Sequence, residues 1–243
     1  MRKRLFAVTF LFVLMASSVA LAAGKGSDEV SEALNRGTEA FNRGSYERAI
    51  FEYRAALTWP GQHEARAHFN IGVCHHRQGR FNDAVTEYRT AITQQEGKYP
   101  VASYALGVAL QSIRQHREAR DAFAQAVEAS GGKHAEALFE LGLYAQASRD
   151  IQTAISLYNR AIKQSKDRIP ASHNNLGVIL ASHGQMEEAR REFEIALEQS
   201  RGKFDEARDN LVRCRDLLSS KSDTLIADLK TSGASARIQI VWD

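Results

Sequence analysis

Residues that break helices and residues that form disulfides are both rare in this chain. Its 243 residues include 3 prolines and 2 cysteines, and no Asn-x-Ser/Thr acceptor for N-linked glycans occurs. With 44% hydrophobic and 25% charged residues, the composition is that of a globular protein. It excludes a disordered chain, a collagen-like chain and a multi-span membrane protein. The missing glycan acceptors are compatible with a protein exported by a bacterium.

The start of the chain has the three-part layout of a secretory signal peptide. Three basic residues at positions 2–4 precede an apolar run over positions 5–14, and the small residues Ala20 and Ala22 follow. The run is short for a bilayer span, which needs about 20 apolar residues, although an uncleaved anchor remains the alternative. We therefore predict cleavage after Ala22, a short linker over 23–29 and export to the periplasm or the extracellular space. No stable membrane insertion is expected after cleavage.

The mild basic excess of the chain belongs to this leader. The formal net charge is +3, and residues 1–22 contain three basic and no acidic residues. The rest of the chain has 29 basic and 29 acidic residues and is charge-balanced. Binding to nucleic acid through bulk charge therefore has no support, and we predict no nucleic-acid partner.

A period of 35 residues governs positions 30–204. The same small and aromatic residue types recur in register through five copies, which chance does not explain. The predicted units are 30–64, 65–99, 100–134, 135–169 and 170–204. The glycine column is Gly37, Gly72, Gly107, Gly142 and Gly177, and the aromatic column is Tyr53, Tyr88, Phe123, Tyr158 and Phe193.

Each unit predicts two helices joined by a short turn. In the fourth unit, Ala154, Tyr158 and Ala161 follow one another at helical steps of three and four. Small glycine and alanine side chains let two helix axes approach closely, and the aromatic column fills the adjoining space. A glycine marks the turn in three copies, where a positive φ ends the first helix. Arg114 and Arg149 replace it in the other two, so we expect those turns to be less standard.

This pattern resembles the tetratricopeptide repeat family. The second unit carries the family's residues as Ile71-Gly72, Gly79, Phe81, Ala84, Tyr88 and Ala91. The period is 35 where the family uses 34, and the proline that often closes the unit is missing. The resemblance implies an all-α fold, a right-handed α-solenoid of five 35-residue helix–turn–helix repeats with a capping helix over 205–220. The pattern of the tail, residues 221–243, indicates a short helix and a strand. The strand-like end is alternatively a disordered tail, a segment folded back on the solenoid or a strand that binds a partner.

The cysteines and histidines do not form a reactive or metal-binding pattern. Cys74 and Cys214 lie four periods apart, so stacked units would separate them beyond the about 7 Å between Cα atoms that a disulfide allows. We predict two buried free thiols. Four of the 8 histidines lie close together over positions 63–76, but neighbouring helical residues such as His75 and His76 point about 100° apart and cannot converge on one metal ion.

Motifs of enzymes are also missing. No phosphate-binding loop, serine-hydrolase elbow, zinc-protease helix or haem-attachment motif occurs in the sequence. We therefore predict a protein that is not an enzyme and has no catalytic residue, metal or cofactor.

The resemblance implies a binding surface on the first helices, which line the concave face of the superhelix in this family. A protein or peptide partner would lie against an apolar stripe flanked by asparagine amides, which can hydrogen-bond a peptide backbone. The alternative is that the aromatic side chains simply pack between neighbouring units. The predicted groove residues are Asn35, Phe69, Asn70, Val73, His76, Tyr104, Val108, Gln111, Phe139, Leu143, Gln146 and Asn175.

The predicted function is a non-catalytic protein–protein interaction scaffold of the bacterial envelope. The alternative is a structural, self-assembling envelope component that acts through repeat stacking or through the C-terminal strand predicted over Ile238–Trp242. A third class, an enzyme or a polysaccharide binder, has no motif in its favour. The identity of the partner and the oligomeric state are left open by the sequence.

Overall fold

All regular structure in the described part of the chain is helical. The structure, a computed structural model, describes residues 28–166, 168–220 and 231. The predicted signal peptide and all of the tail except Thr231 lie outside these residues, and the first helix already includes two residues of the predicted linker. The helices are α1 (28–42), α2 (Tyr46–Ala56), α3 (Glu64–Arg77), α4 (Phe81–Gln94), α5 (Pro100–Ser112), α6 (His116–Ala129), α7 (Ala135–Ala147), α8 (Ile151–Ser165), α9 (Pro170–Ser182), α10 (Met186–Gln199) and α11 (Asp205–Ser220).

The chain divides into two compact units, residues 1–97 and 98–243. In the first unit, α3 pairs with α4 and also packs against α2. In the second, α5 pairs with α6, α7 with α8 and α9 with α10, while α11 packs against α9 and α10. The predicted all-α fold of helix–turn–helix repeats is confirmed, whereas the number of repeats and the capping role of α11 stay predictions. Within the described residues, every helix is too short or too polar to traverse a bilayer.

The glycine and aromatic columns pack against each other within each repeat. The rings of Tyr88 and Tyr158 are fully buried. A Cβ atom placed on Gly72 would lie 2.7 Å from the Tyr88 ring, and one on Gly142 would lie 2.5 Å from the Tyr158 ring. Because real Cβ atoms do not approach this closely, only glycine lets the two helices of a repeat meet around the ring.

Arginine replaces glycine in two turns without changing the turn. Arg114 and Arg149 adopt φ values of 62° and 61°, close to the 73° of Gly79. The backbone N–H of Gln115 donates to Leu110 O over 2.9 Å, and the corresponding bond after Gly79 has the same length. The expectation of less standard turns is therefore wrong. The backbone hydrogen bonds hold both arginines in the left-handed region that side chains with a Cβ disfavour.

Replacing Arg114 by glycine is expected to raise the free energy of unfolding by about 0.5–1 kcal/mol. The substitution removes the left-handed strain, which exceeds the extra entropy of glycine in the unfolded chain. Urea denaturation measures the change. Arg117→Gly, at an exposed helical position three residues away, is the control and should lower stability. An equal loss of stability in both variants would contradict the assignment of strain to residue 114.

The cysteine prediction is confirmed by the structure. Cys74 and Cys214 are both buried free thiols. Burial raises the pKa of the Cys74 thiol to about 12 and also raises the pKa of Cys214, so both groups stay protonated at neutral pH. In the described ranges, no group of three or more histidine, cysteine, aspartate or glutamate side chains could hold a metal ion.

Candidate partner-binding groove

The predicted groove residues all lie on first helices of repeats. Asn35 is on α1, and four more residues are on α3, within the first compact unit. The remaining seven lie on α5, α7 and α9 of the second unit.

The groove aromatics pack against the aromatic column of their own repeat. The ring centroids of Phe69 and Tyr88 are 5.8 Å apart, and those of Phe139 and Tyr158 are also 5.8 Å apart. Phe69 and Phe139 are only 4% and 5% exposed. Their rings therefore belong mainly to the core of the repeat, and alanine at either position would cost folding stability as well as any binding energy.

Tyr104 differs from the two phenylalanines because it is partly exposed. Its ring lies 5.6 Å from the ring of Phe123 and stacks on the imidazole of His134 at 4.9 Å. Burial is the main cause that raises the pKa of the phenol, and the carboxylates of Glu140 and Glu136 raise it further. Tyr104 is thus the one of the three groove aromatics that is partly accessible.

In the first compact unit, which ends at Gly97, the polar groove residues are more buried than the sequence suggested. Asn70 is 1% exposed, and neither its amide nitrogen nor its amide oxygen has a hydrogen-bond partner among the described residues. The His76 ring contacts Phe81 edge-on at 5.2 Å, and burial lowers the pKa of its imidazole. Val73 is buried, whereas Asn35 is exposed. Among these groove residues, Asn35 is therefore the exposed polar one, whereas the Nε2 atom of the partly exposed His76 is buried.

In the second unit, two groove residues belong to a polar chain that links α7, α8 and α9. The Tyr158 hydroxyl donates to Gln146 Oε1 over 2.7 Å, and Asn175 Nδ2 donates to the same hydroxyl over 3.4 Å. Asn174 Nδ2 donates to Asn175 Oδ1 over 3.2 Å, and Asn210 Nδ2 of α11 donates to Asn174 Oδ1 over 2.9 Å. All three asparagines are fully buried, so Asn175 supports the fold and is not presented at the surface.

The accessible groove surface of the second unit comes from α5 and α7. Gln111, Leu143 and Gln146 are partly exposed, as is Tyr104, whereas Val108 is buried. These four side chains offer amide, phenol and aliphatic groups. Such groups form hydrogen bonds and apolar contacts with a peptide.

Glu140 is a residue of this site that sequence reasoning missed. It is 1% exposed, and one carboxylate oxygen accepts a hydrogen bond from Gln111 Nε2 over 3.0 Å. Burial raises the pKa of Glu140 to about 7, although the bond from Gln111 acts in the opposite direction. Glu140 stands one repeat step of 35 from Asn175, which is the signal that would have revealed it.

A cleft of about 520 Å³ lies between α6, α7 and α8. His116, Arg117 and Arg120 line one side, and Leu141 and Tyr144 line another. Tyr144 occupies the column in which the other described repeats of this unit have Ala109, Ile179 and Cys214, so its larger ring stands where smaller side chains are usual.

The chain belongs to the tetratricopeptide repeat family. The family model described as "Tetratricopeptide repeat" matches residues 34–100, 104–169 and 140–204, which together are more than half of the chain. No curated protein matches the chain in sequence.

Solved structures share the fold at low sequence identity. PilF of Pseudomonas aeruginosa is 18% identical with a TM-score of 0.66, covering 84% of this chain and 89% of its own. A MamA protein is 22% identical with a TM-score of 0.58, covering 73% and 94%. YrrB, whose structure is described as a TPR protein with an unusual peptide-binding site, is 20% identical with a TM-score of 0.56, covering 76% and 93%. At these identities the likeness concerns the fold alone.

Proposed function

We propose that the protein is a non-catalytic interaction scaffold of the bacterial envelope that binds a segment of a partner protein. The observation that carries the proposal is the set of partly exposed side chains that α5 and α7 share. Gln111 and Gln146 occupy equivalent positions one repeat apart, with Tyr104 and Leu143 beside them on the same helices. The peptide-binding site named for YrrB, a protein of the same fold, supports this proposal. The export signal predicted at residues 1–22 supports a location in the envelope.

The chemistry of this surface favours an extended or helical peptide segment. Leu143 and the ring of Tyr104 bury apolar side chains of the partner, while the amides of Gln111 and Gln146 bond its backbone. Because the chain after residue 22 is charge-balanced, the proposed affinity comes mainly from shape and local contacts and falls only modestly with salt.

The proposal is tested with the full chain carrying a C-terminal affinity tag in a bacterial host. The periplasmic fraction should contain the protein with Ala23 as its first residue, together with a captured partner. The purified pair is then measured by titration calorimetry. Tyr104→Ala and Leu143→Asp should each weaken binding by about 1–3 kcal/mol, the range of interface hot spots.

Val212→Asp on α11 is the matched control, because Val212 is an apolar residue that is 54% exposed outside the groove. It should leave the affinity unchanged, and all three variants must keep the helical circular dichroism of the wild type. A partner that binds the groove variants like the wild type, or a protein retained in the cytoplasm with residues 1–22 attached, would contradict the proposal.

A further inference from the structure

Two buried carboxylates in the described residues have opposite surroundings. Glu52 of α2 is 3% exposed, and it accepts from Arg36 Nε over 2.9 Å and from an Arg48 guanidinium nitrogen over 2.6 Å. The bond from Arg36 is the main cause that lowers the pKa of Glu52. Glu140 is at least as buried, yet no lysine, arginine or histidine of the described chain pairs with it. A buried carboxylate without a cation is costly to the fold.

The aromatic column of the repeat supplies no hydrogen-bond donor to the Glu140 carboxylate. One repeat later, Asn175 donates to the hydroxyl of Tyr158. Glu140 and Phe123 stand one repeat before Asn175 and Tyr158, and the phenylalanine has no hydroxyl. The amide of Gln111 is therefore the hydrogen-bond donor that α5 supplies, and Gln111 is partly exposed on the side of the groove.

Aromatic rings cluster in the same part of the chain. The ring of Phe123 lies 5.6 Å from that of Tyr104 and 6.3 Å from that of Tyr144. Burial is the main cause that raises the pKa of Tyr104 of α5, Tyr144 of α7 and Tyr158 of α8, and the charge of Glu140 raises each of the three further. The positive charge of Arg120 on α6 opposes the rise at Tyr144, because it lowers the pKa of that phenol. Rings beside a carboxylate form a site that suits an organic cation.

We propose that Glu140 receives a cationic side chain, lysine or arginine, from the segment that binds the groove. The incoming ammonium or guanidinium group replaces the Gln111 amide as the donor to the carboxylate, and the rings of Tyr104 and Tyr144 flank it. This inference rests on the proposed groove function, because it names the chemistry of the bound segment. It also explains why a carboxylate is kept at a position where asparagine serves the neighbouring repeat.

Butylguanidinium, a mimic of the arginine side chain, tests the site without a partner. The protein from Ala23 onward, with ring-labelled tyrosine, is titrated at pH 8, and the ring resonances of Tyr104 and Tyr144 are followed. We expect a saturable shift that Glu140→Gln abolishes and that uncharged N-butylacetamide does not produce. Gln111→Ala removes the competing donor and should tighten binding by about three- to tenfold, the factor for one hydrogen bond.

Glu136→Gln is the matched control, since Glu136 lies one turn away on the same helix and is exposed. It should leave the response of the two tyrosine rings to butylguanidinium unchanged. A guanidinium response that persists in Glu140→Gln, or no response in the wild type and in Gln111→Ala, would overturn the inference. The proposed function would still stand if the captured partner remained sensitive to Leu143→Asp, so the two failures are distinguishable.

Discussion

Gly142→Ala is expected to lower the free energy of unfolding by about 2–3 kcal/mol, although alanine is the better helix former. The new Cβ would lie 2.5 Å from Cε1 and 2.8 Å from Cδ1 of Tyr158. That ring is fully buried, packs against Phe139 and is held by its bond to Gln146, so it has no free space to turn into. The cost of overpacking therefore exceeds the about 1 kcal/mol that alanine contributes in an open helix.

A double-mutant cycle isolates the contact between Gly142 and the ring. In a Tyr158→Leu background the ring is gone, and Gly142→Ala should cost at least about 1 kcal/mol less than in the wild type. Tyr158→Phe is the control, because it keeps the ring and removes only the hydroxyl, so the penalty should persist. Urea denaturation of the wild type, of each single variant and of each double variant provides the free energies of unfolding. A gain of stability in Gly142→Ala, as helix propensity alone predicts, would refute the packing argument.

The features that the sequence predicted best are those that a single repeat determines locally. A glycine and an aromatic residue 16 positions apart report one contact between two adjacent helices, as the Gly72–Tyr88 pair shows. Pro100 and Pro170 begin α5 and α9, because a proline at the first helical position loses no hydrogen bond. The prediction of a less standard turn at Arg114 was wrong, because the backbone hydrogen bonds of the turn outweigh the strain of one side chain.

The site was harder to predict because burial depends on which neighbour reaches a residue. The repeat pattern correctly placed Phe69 and Phe139 on first helices. It did not predict how deeply their contacts with Tyr88 and Tyr158 bury these rings. The hydrogen bond from Gln111 to Glu140 joins two successive repeats. A partner of that kind follows from three-dimensional stacking and is not encoded in the 35-residue step alone.

Glu140→Gln is expected to stabilise the protein at pH 8 by about 3 kcal/mol and to have little effect near pH 4. Burial raises the pKa of Glu140 from its ordinary value of 4.5 to about 7. The folded protein therefore binds this proton more tightly than the unfolded chain between those pH values. The stability that the protonated carboxyl contributes is fully present below pH 4.5 and is lost as the pH rises through 7, at about 1.4 kcal/mol for each unit of the shift. Glutamine keeps the acceptor for Gln111 and carries no charge.

The measurement is urea denaturation of the wild type and the variant at several pH values from 4 to 8, so that titration of all other groups cancels in the difference. The groups that face the carboxyl are the Gln111 amide and three phenols whose pKa it raises, and none of these titrates in that range. Glu136→Gln is again the control, because the bond from His134 lowers the pKa of Glu136 and its removal cannot stabilise the protein at high pH. A difference between wild type and Glu140→Gln that stays constant from pH 4 to 8 would show that the carboxyl is not held in a costly environment.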